Sequence, residues 1–168
     1  MLYKVFNGPA PTTASQVAVT TGTAIKTLLQ VKPGATQILK VREWGISFDG
    51  SAAATPGIIE LCVTDVAATV TAHVAAGIHK YDSEALAAGD PTTNIIAVGT
   101  TSTGYTASAE GTITTVRQGD VQQIAPTNQL IYQFPLGVAF VIQAGEFMRI
   151  RVKFAAAINA ICYVIVEA

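Results

Sequence analysis

The sequence predicts an all-β domain, an antiparallel β-sandwich or jelly roll of about eight to ten strands with at most one short helix. Apolar and polar side chains alternate at period two in most segments, which is the pattern of half-buried strands. Turn signals built from Gly, Pro, Asn and Asp separate these segments at regular spacing. The strand patterns do not alternate with helical ones, which disfavours a parallel α/β enzyme.

Residues 140–168 carry the clearest pattern and are expected to form the frame of the fold. Gly145 lies between two apolar runs and predicts a tight reversal. The strand that follows alternates apolar with cationic residues, so one of its faces is expected to be buried and the other solvated. The last strand, residues 161–166, is apolar at both parities. It is therefore expected to be covered on both sides, or to lie between the core and a partner chain.

Charged residues make up 12% of the chain, against ~25% in an ordinary domain. So few charges on a chain that is 50% hydrophobic indicate that much surface is hidden in an assembly. A net charge of −1 makes free nucleic acid an unexpected partner. Residues 81–116 contain no Lys or Arg, whereas Arg149, Arg151 and Lys153 form a cationic row. Each region is interpreted as a solvated face or, alternatively, as one of two complementary surfaces that meet between copies or on a partner.

The first part of the chain is expected to hold an N-terminal arm followed by strands. The prolines in residues 1–15 have no backbone N–H to donate to a neighbouring strand, and they predict an extended arm. Residues 16–168 are predicted as a single jelly-roll domain. In its segment 37–48 the apolar phase slips by one residue, which predicts a β-bulge near Glu43 and Trp44. The strand patterns of this part are 16–20, 23–32, 37–48 and 57–64.

Residues 65–103 are predicted as an irregular excursion that carries contacts rather than core. Within it, residues 69–74 are a candidate short strand, and residues 82–89 are typical of one or two helical turns that Gly stops. The chain then returns to strands, with a turn predicted at residues 118–120. The strand segments predicted here are 109–116, 121–125, 130–134 and 138–142.

Cys62 and Cys162 are the cysteines of the chain, and they are expected to be small buried hydrophobes rather than a disulfide. The first residues lack the apolar core of a signal peptide, and no segment reaches the ~18 consecutive apolar residues of a membrane helix. We therefore expect synthesis in a cytoplasm and no membrane partner.

His73 and His79 are the histidines of the chain, and Asp82 follows them closely. The ligand spacings of a metal site are missing around them, so they are interpreted as loop histidines rather than ligands. Residues 99–104 are rich in Gly and Thr but lack the Lys of a phosphate-binding loop.

Glu43 and Glu60 are acids that could be neighbours on facing strands, as glycoside hydrolysis requires, but ordinary surface acids are the better interpretation. Trp44 is interpreted as a core or interface aromatic rather than a ligand platform. The sequence predicts no catalytic, cofactor-binding or metal-binding residue, and the chain is not expected to be an enzyme.

Particular sequence strings resemble small virion proteins of tailed bacteriophages, which decorate or cement the capsid. The resemblance is clearest over residues 109–168. The strings are AEGT at 109–112, YQFPLG at 132–137, AGEFMRIRV at 144–152 and AINAICYVIVEA at 157–168.

The resemblance implies a single jelly-roll domain that clusters as a homotrimer, binds the major capsid protein and stabilises the shell from outside. The expected location is the virion, after synthesis in the cytoplasm of the bacterial host. The arm at residues 1–15 and the excursion at residues 65–103 are the candidates for shell contacts. The alternative is a trimeric receptor-binding or glycan-binding head of a phage tail or fibre, which an aromatic content of 7% disfavours.

Overall fold

The computed structural model describes residues 1–51, 53–81 and 92–168, and this described chain is all-β, as the sequence predicts. A 3₁₀ turn lies at Ala75–Gly77, and a short helix, α1, spans Thr92–Ile95. The strands are β1 (Leu2–Phe6), β2 (Val19–Thr20), β3 (Lys26–Pro33), β4 (Leu39–Phe48), β5 (Gly57–Thr64), β6 (Thr69–Ala72), β7 (Ile78–Lys80), β8 (Ile96–Ala97), β9 (Gly104–Ala109), β10 (Val116–Ile124), β11 (Gln129–Gln133), β12 (Phe140–Ile142), β13 (Phe147–Lys153) and β14 (Asn159–Glu167).

The strands pair into two 7-stranded sheets. Sheet A has the order β11-β4-β14-β1-β7, with β12 also on β4 and β2 on β14. Sheet B has the order β10-β5-β13-β3-β9-β6, with β8 on β3. The pairings within these orders are antiparallel. The quartets β1-β14-β4-β11 and β3-β13-β5-β10 have the interleaved order of a jelly roll, so the predicted fold is confirmed, and shorter strands widen both sheets.

One continuous apolar core lies between the sheets and is filled by alternate residues of the long strands. Leu61, Ile150 and Val164 are among its completely buried members. Trp44 is also completely buried in this core, and its indole N–H donates to Asp120 Oδ2 at 3.2 Å. The interpretation of Trp44 as a core aromatic is therefore confirmed.

The last two strands form the frame of the fold, as predicted. β13 lies between β5 and β3, and β14 lies between β4 and β1, so each occupies the middle of its sheet. They belong to different sheets and do not pair with each other. Gly145 has a φ of 88° in the turn that carries the chain from β12 in sheet A to β13 in sheet B, as its predicted role requires.

The first residues lie in a sheet interior rather than in an arm. Leu2–Phe6 pairs with β14 on one side and with β7 on the other, and Tyr3 and Val5 are buried in the core. The predicted arm at residues 1–15 is therefore wrong for this stretch, because the apolar alternation before Asn7 serves the chain's own sheet. Most of residues 9–15 are exposed and lie outside the strands.

The register shifts at β-bulges between β14 and β4, between β10 and β5 and between β13 and β3. Ile165 pairs with Glu43 and Val166 pairs with Val41, which leaves Arg42 as the extra residue, one position before the predicted bulge. In β10 the register shifts across Gly119.

The predicted turn at residues 118–120 is therefore wrong, and Gly119 instead marks a bulge inside one continuous strand. A side chain there would collide with the ring of Phe140, because a Cβ would lie 2.8 Å from it. The predicted strand at 109–116 is also wrong: β9 ends at Ala109, and residues 110–115 run outside the strands.

The excursion at residues 65–103 adds strands to both sheets. β6 and β8 widen sheet B, whereas β7 widens sheet A. The predicted strand at 69–74 forms as β6, and the predicted helical turns at 82–89 lie outside the described residues. Of the helices that the structure describes, none is long and apolar enough to span a membrane.

Candidate interaction surfaces

The outer face of sheet A carries apolar side chains among polar ones, and we call it the A face. Strand pairing places its side chains in rows across the sheet. One row runs Phe6, Tyr163, Gly45 and Ile131, and the next runs Lys4, Ile165, Glu43 and Gln133.

Tyr163 lies at the centre of the A face and is held by three neighbours. Its ring covers Gly45, where a Cβ would lie 2.6 Å from the ring. Its hydroxyl donates to Glu43 Oε1 at 2.6 Å, and Lys4 Nζ lies 3.8 Å from the ring centroid. Burial, and then the bond to the Glu43 carboxylate, raise the pKa of Tyr163 well above its ordinary value, so the phenol remains a neutral donor.

Apolar side chains on and beside the A face are open to solvent. Ile131 is 60% exposed and Tyr81 is 53% exposed. A depression of about 180 Å³ lies between Ile131, Ile161 and Tyr163, and another of about 290 Å³ includes Leu2, Tyr81 and Ile165 in its lining. Both are shallow, so this face is suited to packing against a surface rather than to enclosing a small molecule.

A second apolar feature is the turn between β11 and β12, which we call the apolar turn. The Val138 N–H donates to the Pro135 carbonyl at 3.0 Å, and Gly137 has a φ of 81°. This geometry fixes Leu136 at the apex, where its side chain is fully exposed, and Val138 is also exposed. A rigid, fully exposed leucine is typical of a contact residue rather than of a core residue.

The outer face of sheet B holds, on its middle strands β3, β13 and β5, a buried layer of charged and polar groups that we call the ionic layer. Arg149 is completely buried; it donates to Glu110 Oε2 at 3.1 Å, to the Glu110 carbonyl at 3.0 Å and to the Val66 carbonyl. Arg151 is 8% exposed and pairs with Glu60 at 2.7 Å. The prediction of a solvated cationic face is therefore wrong for these two arginines, whereas Lys153 at the end of the row is exposed.

The excursion and the segment after β9 together cover this layer. Glu110 accepts the Thr27 N–H at 2.6 Å and the Thr27 hydroxyl at 2.5 Å, which fixes the segment after β9 on β3. Gln30 is also completely buried: it accepts the Ala68 N–H at 2.8 Å and donates to the Ser102 carbonyl at 2.6 Å. The layer thus joins the excursion to sheet B.

The ionic layer does not have the organisation of an active site. Its arginines are paired with carboxylates and carbonyls of the same chain, and the Nε atoms of Arg149 and Arg151 are buried without a partner. Cys62 lies beside it, and burial raises the pKa of its thiol to about 12, so the thiol stays protonated. The layer is best explained as structural.

The two cysteines are free and buried, as predicted. Cys162 faces the core, where burial raises the pKa of its thiol well above the ordinary value. Both residues therefore act as small apolar side chains.

Both histidines lie beside strand β1 and make structural contacts there. His73 follows β6 and is buried; its Nε2 lies 2.7 Å from the Phe6 carbonyl, and its ring packs against Tyr105. His79 lies in β7 opposite Lys4 rather than in a loop, which corrects that part of the interpretation.

Asp82, the third member of the metal site considered from the sequence, lies outside the described residues. Among the residues that are described, no group of three or more His, Cys, Asp and Glu side chains is placed to hold a metal ion.

The remaining candidates do not converge on one site. Glu43 belongs to the A face and Glu60 to the ionic layer, so they lie on different sheets and have different partners. The loop at 99–104 packs on β3, where the Thr103 hydroxyl accepts the Lys32 N–H at 2.9 Å. It is occupied by its own chain rather than shaped as an open cradle for phosphate.

The sequence analysis separated the strands on either side of the apolar turn but did not single out the exposed Leu136 or the role of Gly45. YQFPLG carried a signal for the turn, because Pro135 and Gly137 flank an apolar residue. Gly45 carried a weaker signal, a glycine within a strand pattern, which often marks close approach of another group.

Comparison of this chain with protein-family models, with curated proteins and with solved structures found no match.

Proposed function

We propose that the chain is a structural virion protein that binds the outer surface of a phage capsid and stabilises it. The observation that carries the proposal is the contrast between the two outer faces. The arginines of the ionic layer form ion pairs within the chain, whereas the A face and the apolar turn leave apolar side chains exposed on a rigid scaffold. A scaffold of this kind acts through protein contacts and needs no reaction centre.

The exposed residues provide surface for such contacts. Ile131, Leu136 and Val138 belong to one continuous stretch of the chain and are all exposed. Exposed apolar surface that is held in place by a sheet and a tight turn is typical of protein interfaces. The low charge content fits the same role, because a weakly charged surface costs little to dehydrate when it is covered.

Binding of this kind stabilises a shell by mass action. A protein that binds the assembled shell, and not its dissociated subunits, lowers the free energy of the assembled state. We propose the major capsid protein as the partner and a homotrimer as the state on the shell, at the virion surface. The A face, the apolar turn and the exposed residues 9–15 are the contact candidates that the fold leaves available.

The second candidate function is a glycan-binding or receptor-binding head of a phage tail or fibre. It is favoured by the depression beside Tyr81, where an exposed aromatic ring lies with the polar groups of Arg42, Glu43 and Gln133. Stacking on an aromatic ring with hydrogen bonds from nearby polar groups is a common way to bind a sugar. The copy number separates the two functions: hundreds per particle for a decoration protein, at most a few dozen for a tail head.

A shell-binding experiment tests the proposal with matched variants. Purified protein is mixed with undecorated shells and sedimented, and bound protein is quantified. Leu136→Asp is expected to weaken binding at least about tenfold without loss of folding, because Leu136 is fully exposed. Ile58→Asp, at an exposed apolar residue of β5 in sheet B, serves as the control and should bind normally. Failure of the wild-type protein to bind shells, together with binding to glycans, would favour the tail head.

A further inference from the structure

Strand β11 forms an edge of sheet A. The Phe134 N–H donates to the Arg42 carbonyl at 2.9 Å. The even-numbered residues of this segment therefore direct their backbone N–H and C=O groups towards β4. Because the direction alternates along a strand, Gln129, Ile131 and Gln133 direct their N–H and C=O groups away from β4. In the part of the chain that the structure describes, no strand pairs with this side.

The edge also lacks the features with which sheet proteins block unwanted pairing. Edge strands of native proteins usually carry a charge, a proline or a bulge, or are very short. At other edges of this fold, β10 has a bulge at Gly119 together with Arg117 and Asp120, and β7 has 3 residues and ends at Lys80. β11 has none of these, and the sequence contains no charged residue from Val121 to Gly145.

The sequence of β11 is close to a palindrome. It reads Gln-Leu-Ile-Tyr-Gln, with Ile131 at its centre. In an antiparallel pair of two such strands centred on Ile131, Gln129 faces Gln133 of the other copy and Leu130 faces Tyr132. Glutamine thus meets glutamine, apolar residues meet apolar residues, and no like charges are brought together.

We propose that two copies of this chain pair antiparallel through β11, with Ile131 of each copy on the two-fold axis. The free N–H of Ile131 donates to the Ile131 carbonyl of the other copy, and Gln129 and Gln133 exchange backbone hydrogen bonds in the same way. The pairing makes one continuous sheet from two copies of sheet A and covers Ile131 at the join. It concerns the free protein and does not depend on a role on a shell.

A homotrimer and this pairing use different symmetry. A two-fold contact cannot by itself close a ring of three, so β11 pairing in a trimeric protein would join neighbouring trimers. A layer of copies joined by both contacts would be continuous.

Register-specific cross-linking tests the pairing directly. Facing residues whose backbone groups bond each other have Cα atoms about 5.5 Å apart, within the span of a disulfide. Ile131→Cys should therefore form a covalent dimer under oxidation or with a short thiol cross-linker. Gln129→Cys should not, because two copies of residue 129 are offset by four residues, about 13 Å along the strand. The double variant Gln129→Cys, Gln133→Cys should cross-link again.

The background is low because Cys62 and Cys162 are buried. Ile58→Cys is the matched control, since Ile58 is an exposed isoleucine in β5, on the other sheet, and should not cross-link above the wild-type level. Equal cross-linking of the Ile131→Cys, Gln129→Cys and Ile58→Cys variants would overturn the pairing.

Sedimentation velocity of the free protein at about 100 µM gives the second test. The wild-type protein should sediment with a dimer component. Ile131→Lys places like charges face to face, so self-association should weaken at least about tenfold, whereas Ile58→Lys should leave it unchanged. Ile131→Pro should have the same effect as Ile131→Lys, because it removes an outward N–H that does not bond to β4. Circular dichroism checks that each variant is folded. A monomeric wild-type protein, or an oligomer that Ile131→Lys and Ile131→Pro leave intact, would overturn the pairing.

Discussion

The two outer faces of the sandwich arise from the same alternation of side chains and end in opposite states. On sheet B, the cationic Arg149 and Arg151 are buried, although charged residues on a strand usually face water. On sheet A, the apolar Ile161 and Ile165 are partly open to solvent. The difference comes from the cover: the excursion and Glu110 fold over sheet B and provide hydrogen-bond partners there.

The contrast teaches that the polarity of a strand residue does not determine its exposure. Buried arginines need specific partners, which this chain supplies from sequence-distant loops. An apolar face needs no specific partner and can be covered by any complementary surface. The face that the chain leaves open is thus the one that another molecule can cover most simply.

The largest loss of folding stability is expected from a substitution of Glu110 in the ionic layer. Glu110→Gln leaves the buried Arg149 with no counter-charge, which should cost about 3 kcal/mol, towards the low end of the range for buried pairs because the Glu110 side chain is 23% exposed. This corresponds to a decrease in Tm of about 6–12 °C. The control is Glu146→Gln, which breaks an exposed pair with Arg117 and should change Tm by little. Equal losses in the two variants would show that the layer is not especially important.

The next effect is expected on the A face at Gly45. Gly45→Ala places a methyl group against the Tyr163 ring, which must move and lose its contacts with Glu43 and Lys4. We expect a loss of about 2 kcal/mol by urea unfolding. Introducing Gly45→Ala into a Tyr163→Ala background should cost little, because the collision is then absent. A cost that is the same in both backgrounds would contradict this explanation.

A smaller effect is expected from the Tyr163 hydroxyl. Tyr163→Phe removes its hydrogen bond to Glu43 and keeps the ring, so we expect a loss of about 1 kcal/mol in urea unfolding. Binding to shells should change less in this variant than in Leu136→Asp if packing of the ring, and not its hydroxyl, matters at the interface.

The smallest effect is a pH dependence from His73. Burial lowers the pKa of His73 in the folded protein, whereas in the unfolded chain its pKa is about 6.5. Below this pH the unfolded chain binds a proton that the folded protein does not, so stability falls as pH decreases from about 6.5 towards the folded pKa. Urea midpoints at pH 7.5 and 5.5 should differ more in the wild-type protein than in His73→Gln. Equal pH dependence in both proteins would exclude His73 as the cause.

The sequence predicted the jelly roll because its long strands alternate strictly and their turns are marked by Gly and Pro. β5 was predicted to the residue, since Asp49 and Gly50 end the strand before it and Pro56 precedes it. The bulge near Arg42 was found within one position because a slip of phase is visible in the sequence.

The surfaces could be predicted less well, because they depend on contacts between distant residues. Nothing in the sequence near Arg149 indicates that Glu110, 39 residues away, will cover it. The first strand was mistaken for an arm, since its pairing with β14 joins segments separated by most of the chain. The predicted role of residues 65–103 as a contact region remains a prediction, and part of that region instead covers the chain's own sheet.

The place of β1 between β14 and β7 has a consequence for biosynthesis. β1 leaves the ribosome before β14, and it cannot complete its hydrogen bonds until β14 has also emerged. β1 therefore remains an incompletely paired apolar strand while the intervening residues are translated. Chaperones that shield nascent chains would be needed most during this interval, and termination before β14 should yield insoluble fragments rather than smaller folded domains.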